Sequence, residues 1–419
     1  MNRRSNEPCL KVLYHFVPQS IKTQISRVKS FKAGQGTGFY RQDTTGFFLS
    51  TIWITWFALS GLSALASVFL FRTLGNLGVS RKYALLSTIF YAWGTPVFFY
   101  STTYFSHVFH ASIAVFALYF LSTMSPSPTW KRLVGLGLLC GSTILIEYQG
   151  MIVIVGFGLY VLWKYGIKAS LLYGVGVLVP VGLLLAYNIM AFGAPLRVPH
   201  QFLVGSNREV VHGTGLLGFT FPTSNRILGL TVSFRRGLFL YSPILFLAPL
   251  GWLIVLRHRG RLRAFAILST FIVLSLLAMM AGYQDWGGGA AFGPRFLTMS
   301  LPFLMIGVAV ALERVPRSIW IPLAFFSLLT NWLGAQYGFA SNVIEPYSVF
   351  MNEGFTLPSI SAIITHSTGD NGLSTFIDRF WPGILLGYAL FIGLIVVILI
   401  GIARIPAVER SRSAANAHQ

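Results

Sequence analysis

The sequence predicts an all-α fold: a polytopic integral membrane protein with about eleven helical spans. Apolar residues make up 54% of the chain, charged residues only 10%, and the mean hydropathy is +0.68. A soluble domain carries about 25% charged residues, so this chain lacks the polar surface that water requires. The apolar residues also form uncharged runs, as at 47–71, 169–193 and 380–403. Each run exceeds the roughly 20 residues that cross a bilayer.

The apolar blocks indicate one membrane domain, 47–403, between an extramembrane segment, 1–46, and a tail, 404–419. No internal repeat or low-complexity linker is found in the sequence. The predicted spans, in order, are 47–71, 83–101, 104–122, 133–147, 150–163, 169–191, 237–256, 264–283, 296–312, 318–337 and 380–403. Two segments between spans, 192–236 and 338–379, are long, and loops of such length usually carry function or lack order.

Positive charge predicts the orientation of the spans. Alternate loops hold sixteen Lys and Arg residues in short clusters, whereas the other loops hold seven in much longer segments. Cytoplasmic loops of membrane proteins are enriched in Lys and Arg. The clusters therefore predict a cytoplasmic C-terminus and place 192–236 and 338–379 outside. Because the clusters also account for the net charge of +20, no nucleic-acid partner is predicted.

The segment 133–163 is either one long helix or a hairpin of two short helices that turns at 147–150. A single helix would invert every later loop and leave twelve basic residues on one side and eleven on the other, which removes the charge bias. The hairpin is therefore predicted. An arm of about 15 residues is roughly 22 Å long, against a hydrocarbon core of about 30 Å, so the turn should lie recessed in a cavity.

The same alternation places 1–46 outside, although this segment is rich in Lys and Arg. The segment lacks an apolar run long enough for a signal peptide or a span. A helix preceding this chain would resolve the conflict and give about twelve or more spans in a full-length protein. The alternative is a first segment that does not simply cross the membrane.

Ionisable residues at the predicted outer ends of spans are candidates for chemistry. Glu147, in Leu-Ile-Glu-Tyr-Gln-Gly, has apolar segments on both sides. An ionisable residue at membrane depth is costly and typically functional, although Glu147 could also be a turn residue that reaches water. Its neighbour Tyr148 is a candidate substrate contact. His107, in the outer turn that leads to His110, could carry a proton or meet a phosphate, or only cap a helix.

The most distinctive stretch is Tyr-Gln-Asp-Trp-Gly-Gly-Gly-Ala-Ala-Phe-Gly-Pro-Arg at 283–295. Its consecutive glycines let the backbone turn sharply or approach a ligand. Asp285 is a candidate catalytic acid and Trp286 a candidate substrate contact. Arg295 is a candidate phosphate ligand, because a guanidinium presents a planar fork of donors. Alternatively, an Asp285–Arg295 ion pair only staples a tight turn.

Arg235 and Arg236 form a dibasic pair in an outer loop, against the charge distribution of the chain. Arginines at the outer start of a helix suit an anionic lipid headgroup. They are therefore candidate substrate ligands. The alternative is that both side chains simply reach the membrane interface.

Several other chemistries are not predicted. The sequence has no glycine-rich loop of the nucleotide-binding type and no Gly-x-Ser-x-Gly turn in a usable context. Cys9 and Cys140 are far apart and indicate neither a disulfide framework nor a thiolate metal site. No third ligand close in sequence accompanies the two histidines of the outer turn. No metal or other cofactor is therefore predicted.

Four short motifs follow one another along the middle of the chain. They are Trp93-Gly-Thr-Pro96 through Phe105-Ser-His107, then Tyr187-Asn188 with Phe192-Gly-Ala-Pro195-Leu196, then Arg236-Gly-Leu-Phe-Leu-Tyr241-Ser-Pro243, and finally Trp286-Gly-Gly through Phe292-Gly-Pro-Arg295-Phe with Leu301-Pro302. Each motif alone is weak, but their order and spacing over 90–305, about half of the chain, are more specific. Together they resemble the polyprenyl-phosphate-sugar-dependent, multi-spanning (GT-C) glycosyltransferases of prokaryotes.

The resemblance implies sugar transfer from a polyprenyl-phosphate donor on the outer face of the prokaryotic cytoplasmic membrane, to a glycan, lipid or protein acceptor. Such enzymes place a catalytic acid in the first outer loop, directly after a first helix. In this chain no helix is predicted before residue 47, and Asp43 is the acid near the end of that loop, without the usual acidic partner. The resemblance implies a catalytic role for Asp43, beside the candidates Glu147, Asp285 and His107.

The residues present suit this chemistry. A membrane-soluble donor needs no nucleotide site. Inverting transfer needs a carboxylate to take the proton of the acceptor hydroxyl and cations to stabilise the departing phosphate. The alternative function is a transporter or flippase, or a non-catalytic protein, that handles the same lipid-linked saccharides. A transporter typically shows related halves with broken helices in matching positions, and the sequence shows no such symmetry.

Overall fold

The computed structural model describes residues 53–197, 218–233, 236–257, 260–288 and 291–337. Some predictions concern residues outside these ranges. They are the segment 1–46 with Asp43, the loop residues 198–217, Arg235, the outer segment 338–379, the span 380–403 and the tail 404–419.

Helices account for most of the described residues, which confirms the all-α class. Their single β-pairing is an isolated bridge between Phe219 and Tyr283. The helices are a π-helical turn, Ile54–Ser60, that continues into α1 (Gly61–Asn76), then α2 (Arg81–Trp93), α3 (Val97–Ser101), α4 (Ser106–Ser122), α5 (Trp130–Ile146), α6 (Met151–Tyr165), α7 (Ile167–Phe192), α8 (Ser224–Thr231), α9 (Leu238–Tyr241), α10 (Leu247–Leu256), α11 (Arg261–Gly282), α12 (Leu301–Leu312) and α13 (Arg317–Tyr337). Short 3₁₀ turns lie at Tyr148–Gly150, Pro243–Phe246 and Arg295–Ser300.

Within the described part of 53–337, helices lie at the positions of the predicted spans, but some of them are broken. The predicted span 83–101 divides into α2 and α3 around Pro96, and the span 237–256 divides at Pro243. Proline has no backbone N–H for a helical hydrogen bond and clashes with the preceding turn. Among the residues that the structure describes, four helical segments are long and apolar enough to cross a membrane, namely Ile54–Asn76, Ile167–Phe192, Arg261–Gly282 and Arg295–Leu312. The larger number of spans stays a prediction.

The outer surface of α7 is apolar over much of its length. Leu171, Leu178 and Leu183 are 65%, 66% and 60% exposed. An apolar surface of this extent would associate with other molecules in water, whereas in a bilayer it contacts acyl chains. Together with the four long apolar segments, this surface identifies a membrane protein.

Glycines bring the backbones of α5 and α7 into contact. A Cβ on Gly137 would lie 2.0 Å from the carbonyl oxygen of Tyr173, and a Cβ on Gly176 would lie 3.0 Å from the Cα of Gly137. Helices in a membrane gain little from hydrophobic burial against each other, so close packing at small residues holds them together. Helices α10 and α12 meet in the same way, because a Cβ on Gly251 would lie 1.8 Å from the carbonyl oxygen of Gly307.

Helix α12 lies at the centre of the described bundle. All of its residues, Leu301–Leu312, are buried. It packs against α1, α2, α4, α10 and α11. A helix that is apolar all round and buried on every side is typical of a large protein core. The described helices therefore pack around α12 as a common core.

The loops meet at two ends of the bundle, as the predicted alternation requires. At the first, here called the basic end, Nη2 of Arg261 donates to the carbonyl oxygens of Leu121 and Met124 at 3.0 and 2.8 Å. At the second, here called the Glu147 end, the hydroxyl of Ser106 donates to the carboxylate of Glu147 at 2.8 Å. These contacts join loops that the charge distribution places on one side of the membrane. Which end faces the cytoplasm stays a prediction.

The orientation can be tested with single cysteines in the full chain. With Cys9 replaced by Ser, the buried Cys140 should stay unreactive. Ser127→Cys at the basic end should be protected in intact cells from a membrane-impermeant maleimide, whereas Tyr104→Cys, at a position that is 58% exposed, should be labelled. Asp370→Cys should behave like Tyr104→Cys. Labelling of Ser127→Cys together with protection of the other two would invert the topology.

Candidate functional site

The turn that presents Glu147 is tight. Helix α5 ends at Ile146, and Glu147 adopts an extended conformation, with φ −146° and ψ 140°, before the 3₁₀ turn Tyr148–Gly150. A Cβ on Gly150 would lie 2.5 Å from the backbone carbon of Thr143, so the chain folds directly back onto the end of α5. The hydroxyl of Thr143 lies 3.1 Å from the carbonyl oxygen of Gly150 and donates to it. The predicted hairpin is therefore confirmed, with its turn at 147–150.

The carboxylate of Glu147 is surrounded by polar groups. Oε1 accepts a hydrogen bond from Ser106 at 2.8 Å and lies 2.5 Å from Nδ1 of His107. Oε2 accepts a hydrogen bond from Nε2 of Gln149 and lies 3.7 Å from Nδ1 of His110. The Glu147 side chain is 13% exposed. It therefore has polar partners on both oxygens, as expected if the short hairpin ends in a cavity and not against acyl chains.

The contact with Glu147 orients His107. A carboxylate at 2.5 Å from Nδ1 assigns the ring proton to that nitrogen, which leaves Nε2 as the basic atom of the neutral ring. The side chain of His107 is 7% exposed. Buried histidines held in this way by a carboxylate act as proton acceptors in many enzymes, because the carboxylate stabilises the imidazolium that forms. The arrangement can accept a proton from a bound hydroxyl group.

Two aromatic rings connect His107 with Arg295. The His107 ring stacks on Phe105 at a centroid distance of 5.8 Å and meets the edge of Phe296 at 5.9 Å. The guanidinium carbon of Arg295 lies 5.9 and 4.7 Å from the centroids of the same two rings. The Nε atom of Arg295 is buried and has no hydrogen-bond partner among the described residues. A partly buried guanidinium whose Nε has no hydrogen-bond partner is suited to a phosphate.

The predicted alternative for the loop 283–295, a staple between Asp285 and Arg295, is wrong. Both residues are described, and no ion pair within 4.0 Å joins them. The loop is held instead by Arg236, which donates from Nε to Gly287 at 2.6 Å and from Nη1 to Ala291 at 2.5 Å. Gly288, at φ 68°, packs directly against Arg295, and a Cβ there would lie 2.8 Å from Nε. Glycine at this position therefore leaves room for the Arg295 side chain.

The predicted substrate contacts Trp286 and Tyr148 lie against other helices. The Trp286 ring covers α8, where a Cβ on Gly229 would lie 2.6 Å from its Cη2 atom. Tyr148 lies beside Tyr187 and Asn188 of α7, and partial burial, together with Tyr187, raises the pKa of its phenol. The Asn188 side chain donates to the carbonyl oxygen of Pro195 at 3.0 Å. This hydrogen bond joins the end of α7 to the segment that directly follows it.

The predicted site residues therefore divide into groups. His107, Glu147 and Arg295 come together around Phe105 and Phe296. The other four described residues have different contacts: Arg236 holds the glycine loop that packs against Arg295, Trp286 packs on α8, Tyr148 lies beside α7, and Asp285 makes no ion pair with a described residue.

The sequence reasoning missed four members of the site: Ser106, Gln149, Phe105 and Phe296. Each lies within two residues of a predicted site residue, so closeness in sequence was the available signal. The direction of the side chains, which decides their contacts, cannot be predicted from the sequence.

Within the described part of the chain, no group of three His, Cys, Asp or Glu side chains is arranged to hold a metal ion. No family model, no curated protein and no solved structure matches this chain.

Proposed function

We propose that this protein transfers a sugar from a polyprenyl-phosphate donor to an acceptor at the Glu147 end of the bundle. The observation that carries the proposal is the largely buried His107–Glu147 pair beside Arg295. The His107 ring and the Arg295 guanidinium contact the same two aromatic rings, and the buried Nε of Arg295 has no hydrogen-bond partner among the described residues. The pair provides a base, and the guanidinium provides a cation for a phosphate. The membrane environment fits a donor dissolved in the lipid, in the cytoplasmic membrane of a prokaryote.

In the proposed reaction, Nε2 of His107 accepts the proton of the acceptor hydroxyl. The acceptor oxygen attacks the anomeric carbon while the bond between that carbon and the phosphate oxygen breaks. The electron pair of the broken bond leaves with the polyprenyl phosphate, whose added negative charge Arg295 stabilises. Glu147 stabilises the imidazolium through Nδ1. The sequence suggested a carboxylate as the base, whereas this geometry favours histidine with the carboxylate behind it.

The proposed function is tested by incubating membranes that contain the full chain with polyprenyl phosphates that carry labelled sugars. We expect label to move from the donor to a second, membrane-bound or added, acceptor. Membranes without the protein control for endogenous transfer. Retention of the donor by the protein without any transfer would favour the alternative, a transporter or flippase of lipid-linked saccharides, over the enzyme.

Arg295→Lys should lower transfer by about 10- to 100-fold and leave the yield of folded, detergent-stable protein nearly unchanged. Lysine keeps the charge but cannot replace the planar fork of donors. Arg236→Lys is the matched variant, because its guanidinium bonds two loop carbonyls. In that variant, transfer and folded yield should fall together. Both quantities are measured on the same preparation, and a parallel loss in Arg295→Lys would mean that Arg295 is structural.

A further inference from the structure

A cavity of about 430 Å³ opens at the basic end, between α1, α2 and α4. Its wall includes Arg72 and Arg81, the polar side chains of Asn76 and Tyr119, and the backbone of Gly75. A volume of this size is typical of sites for small molecules or for molecular headgroups. The cavity lies at the opposite end of the bundle from Glu147, so it is separate from the proposed transfer site.

The charges of the cavity are not neutralised by the described residues. Neither Arg72 nor Arg81 forms an ion pair with a carboxylate in the described part of the chain. Glu313 lies at the same end of the bundle, but its carboxylate accepts a hydrogen bond from the backbone N–H of Ser80 at 3.0 Å. Two arginines that converge on one cavity therefore favour an anionic occupant.

An exposed apolar strip leads from the cavity toward the middle of the membrane. On α1, Leu65 and Val68 are each 48% exposed and share a helical face with Arg72, at spacings of seven and four residues. On α2, Leu85 is 51% exposed and lies one turn from Arg81. Positive charge at the membrane surface, continuous with an apolar strip below it, matches the two parts of a phospholipid.

We propose that this cavity binds the phosphate-bearing headgroup of an anionic phospholipid, with Arg72 and Arg81 on the phosphate and the acyl chains along α1 and α2. A phospholipid headgroup and a free phosphate ion both present phosphate oxygens to the two arginines. The apolar strip favours the lipid, because a free ion would leave it unused. Binding at this site should stabilise the contact between α1 and α2 and should be independent of sugar transfer.

The full chain, purified and delipidated in detergent, is titrated with phosphatidylglycerol, phosphatidylcholine or inorganic phosphate, and bound lipid is counted by native mass spectrometry. We expect phosphatidylglycerol to bind and the other two to bind much more weakly. Combined Arg72→Gln and Arg81→Gln should weaken phosphatidylglycerol binding about 30-fold, from roughly fivefold for each basic residue at an anionic lipid. The matched pair Lys131→Gln and Lys164→Gln removes equal charge outside the cavity and should change binding less than about twofold.

Gly75→Leu tests the cavity without removing charge. A Cβ at Gly75 would meet no atom within 4 Å, so the larger side chain should fill the cavity and spare the fold. We expect binding to fall by about tenfold or more even though both arginines remain. Unchanged binding in Gly75→Leu, or equal losses in the arginine and lysine pairs, would overturn the proposal. Equal binding of inorganic phosphate and phosphatidylglycerol would also overturn it, in favour of a free anion.

Discussion

Glu147→Gln is expected to lower sugar transfer by about 10²- to 10⁴-fold and to leave the yield of folded protein nearly unchanged. Glutamine has almost the same shape and can still accept the hydrogen bond that Ser106 donates to Glu147 at 2.8 Å. It has no negative charge, however, to stabilise a protonated His107. The stabilisation of protonated His107 is therefore lost while the packing of the hairpin is kept.

The matched control for this variant is Glu313→Gln at the basic end. Glu313 also accepts a hydrogen bond from a neighbouring loop, the backbone N–H of Ser80, but it lies far from the proposed chemistry. Transfer should be unchanged there. Transfer rates of both variants are measured with labelled polyprenyl-phosphate sugars and normalised to folded protein. Wild-type transfer in Glu147→Gln would refute the proposed role of the His107–Glu147 pair.

Gly137→Ala is expected to lower the free energy of unfolding by about 3 kcal/mol. The added Cβ would lie 2.0 Å from the carbonyl oxygen of Tyr173, well inside the normal contact distance of about 3.5 Å. The neighbouring atom belongs to the backbone of α7, so it cannot rotate away, and the two helices must separate. In a helix without this contact, alanine would raise the stability relative to glycine by about 1 kcal/mol. A loss of stability would therefore point to the close contact between the helices.

Gly174→Ala is the matched control, because Gly174 is also a glycine of this helix pair but lies on α7. A Cβ there would meet no atom within 4 Å. Its effect on the free energy of unfolding should stay within about 0.5 kcal/mol or be slightly favourable. Thermal unfolding of the two purified variants in one detergent gives the difference. Equal stabilities would show that the close contact between α5 and α7 does not hold the bundle together.

Much of the fold could be predicted because its signals are one-dimensional. Long apolar blocks give the helix positions, and the alternation of Lys and Arg decided that 133–163 is a hairpin. The breaks at Pro96 and Pro243 were not predicted, although proline was a visible reason for them. The close approach of Gly137 to α7 was also not predicted, because the sequence around a glycine does not show which residues of another helix it contacts.

The candidate site was predicted in part. That His107, Glu147 and Arg295 share one region followed from the alternation of spans, since each lies at the predicted outer end of its span. The role of Arg236 did not follow, because its partners at Gly287 and Ala291 lie more than fifty residues further along the chain. The spacing of Asp285 and Arg295 is compatible with an ion pair, but the direction of the two side chains is not encoded in that spacing, and no ion pair joins them. Asp43 and Arg235 lie outside the described residues and stay predictions.

The burial of α12 has a consequence for biosynthesis. The helices that enclose it, α1, α2, α4, α10 and α11, all precede it in the chain. A ribosome that delivers the chain from its N-terminus would release α12 when these partners are already in the bilayer. The central helix therefore enters the membrane after all five partner helices and packs into the space between them. Its apolar sequence serves the passage into the membrane, while its final neighbours are protein on every side.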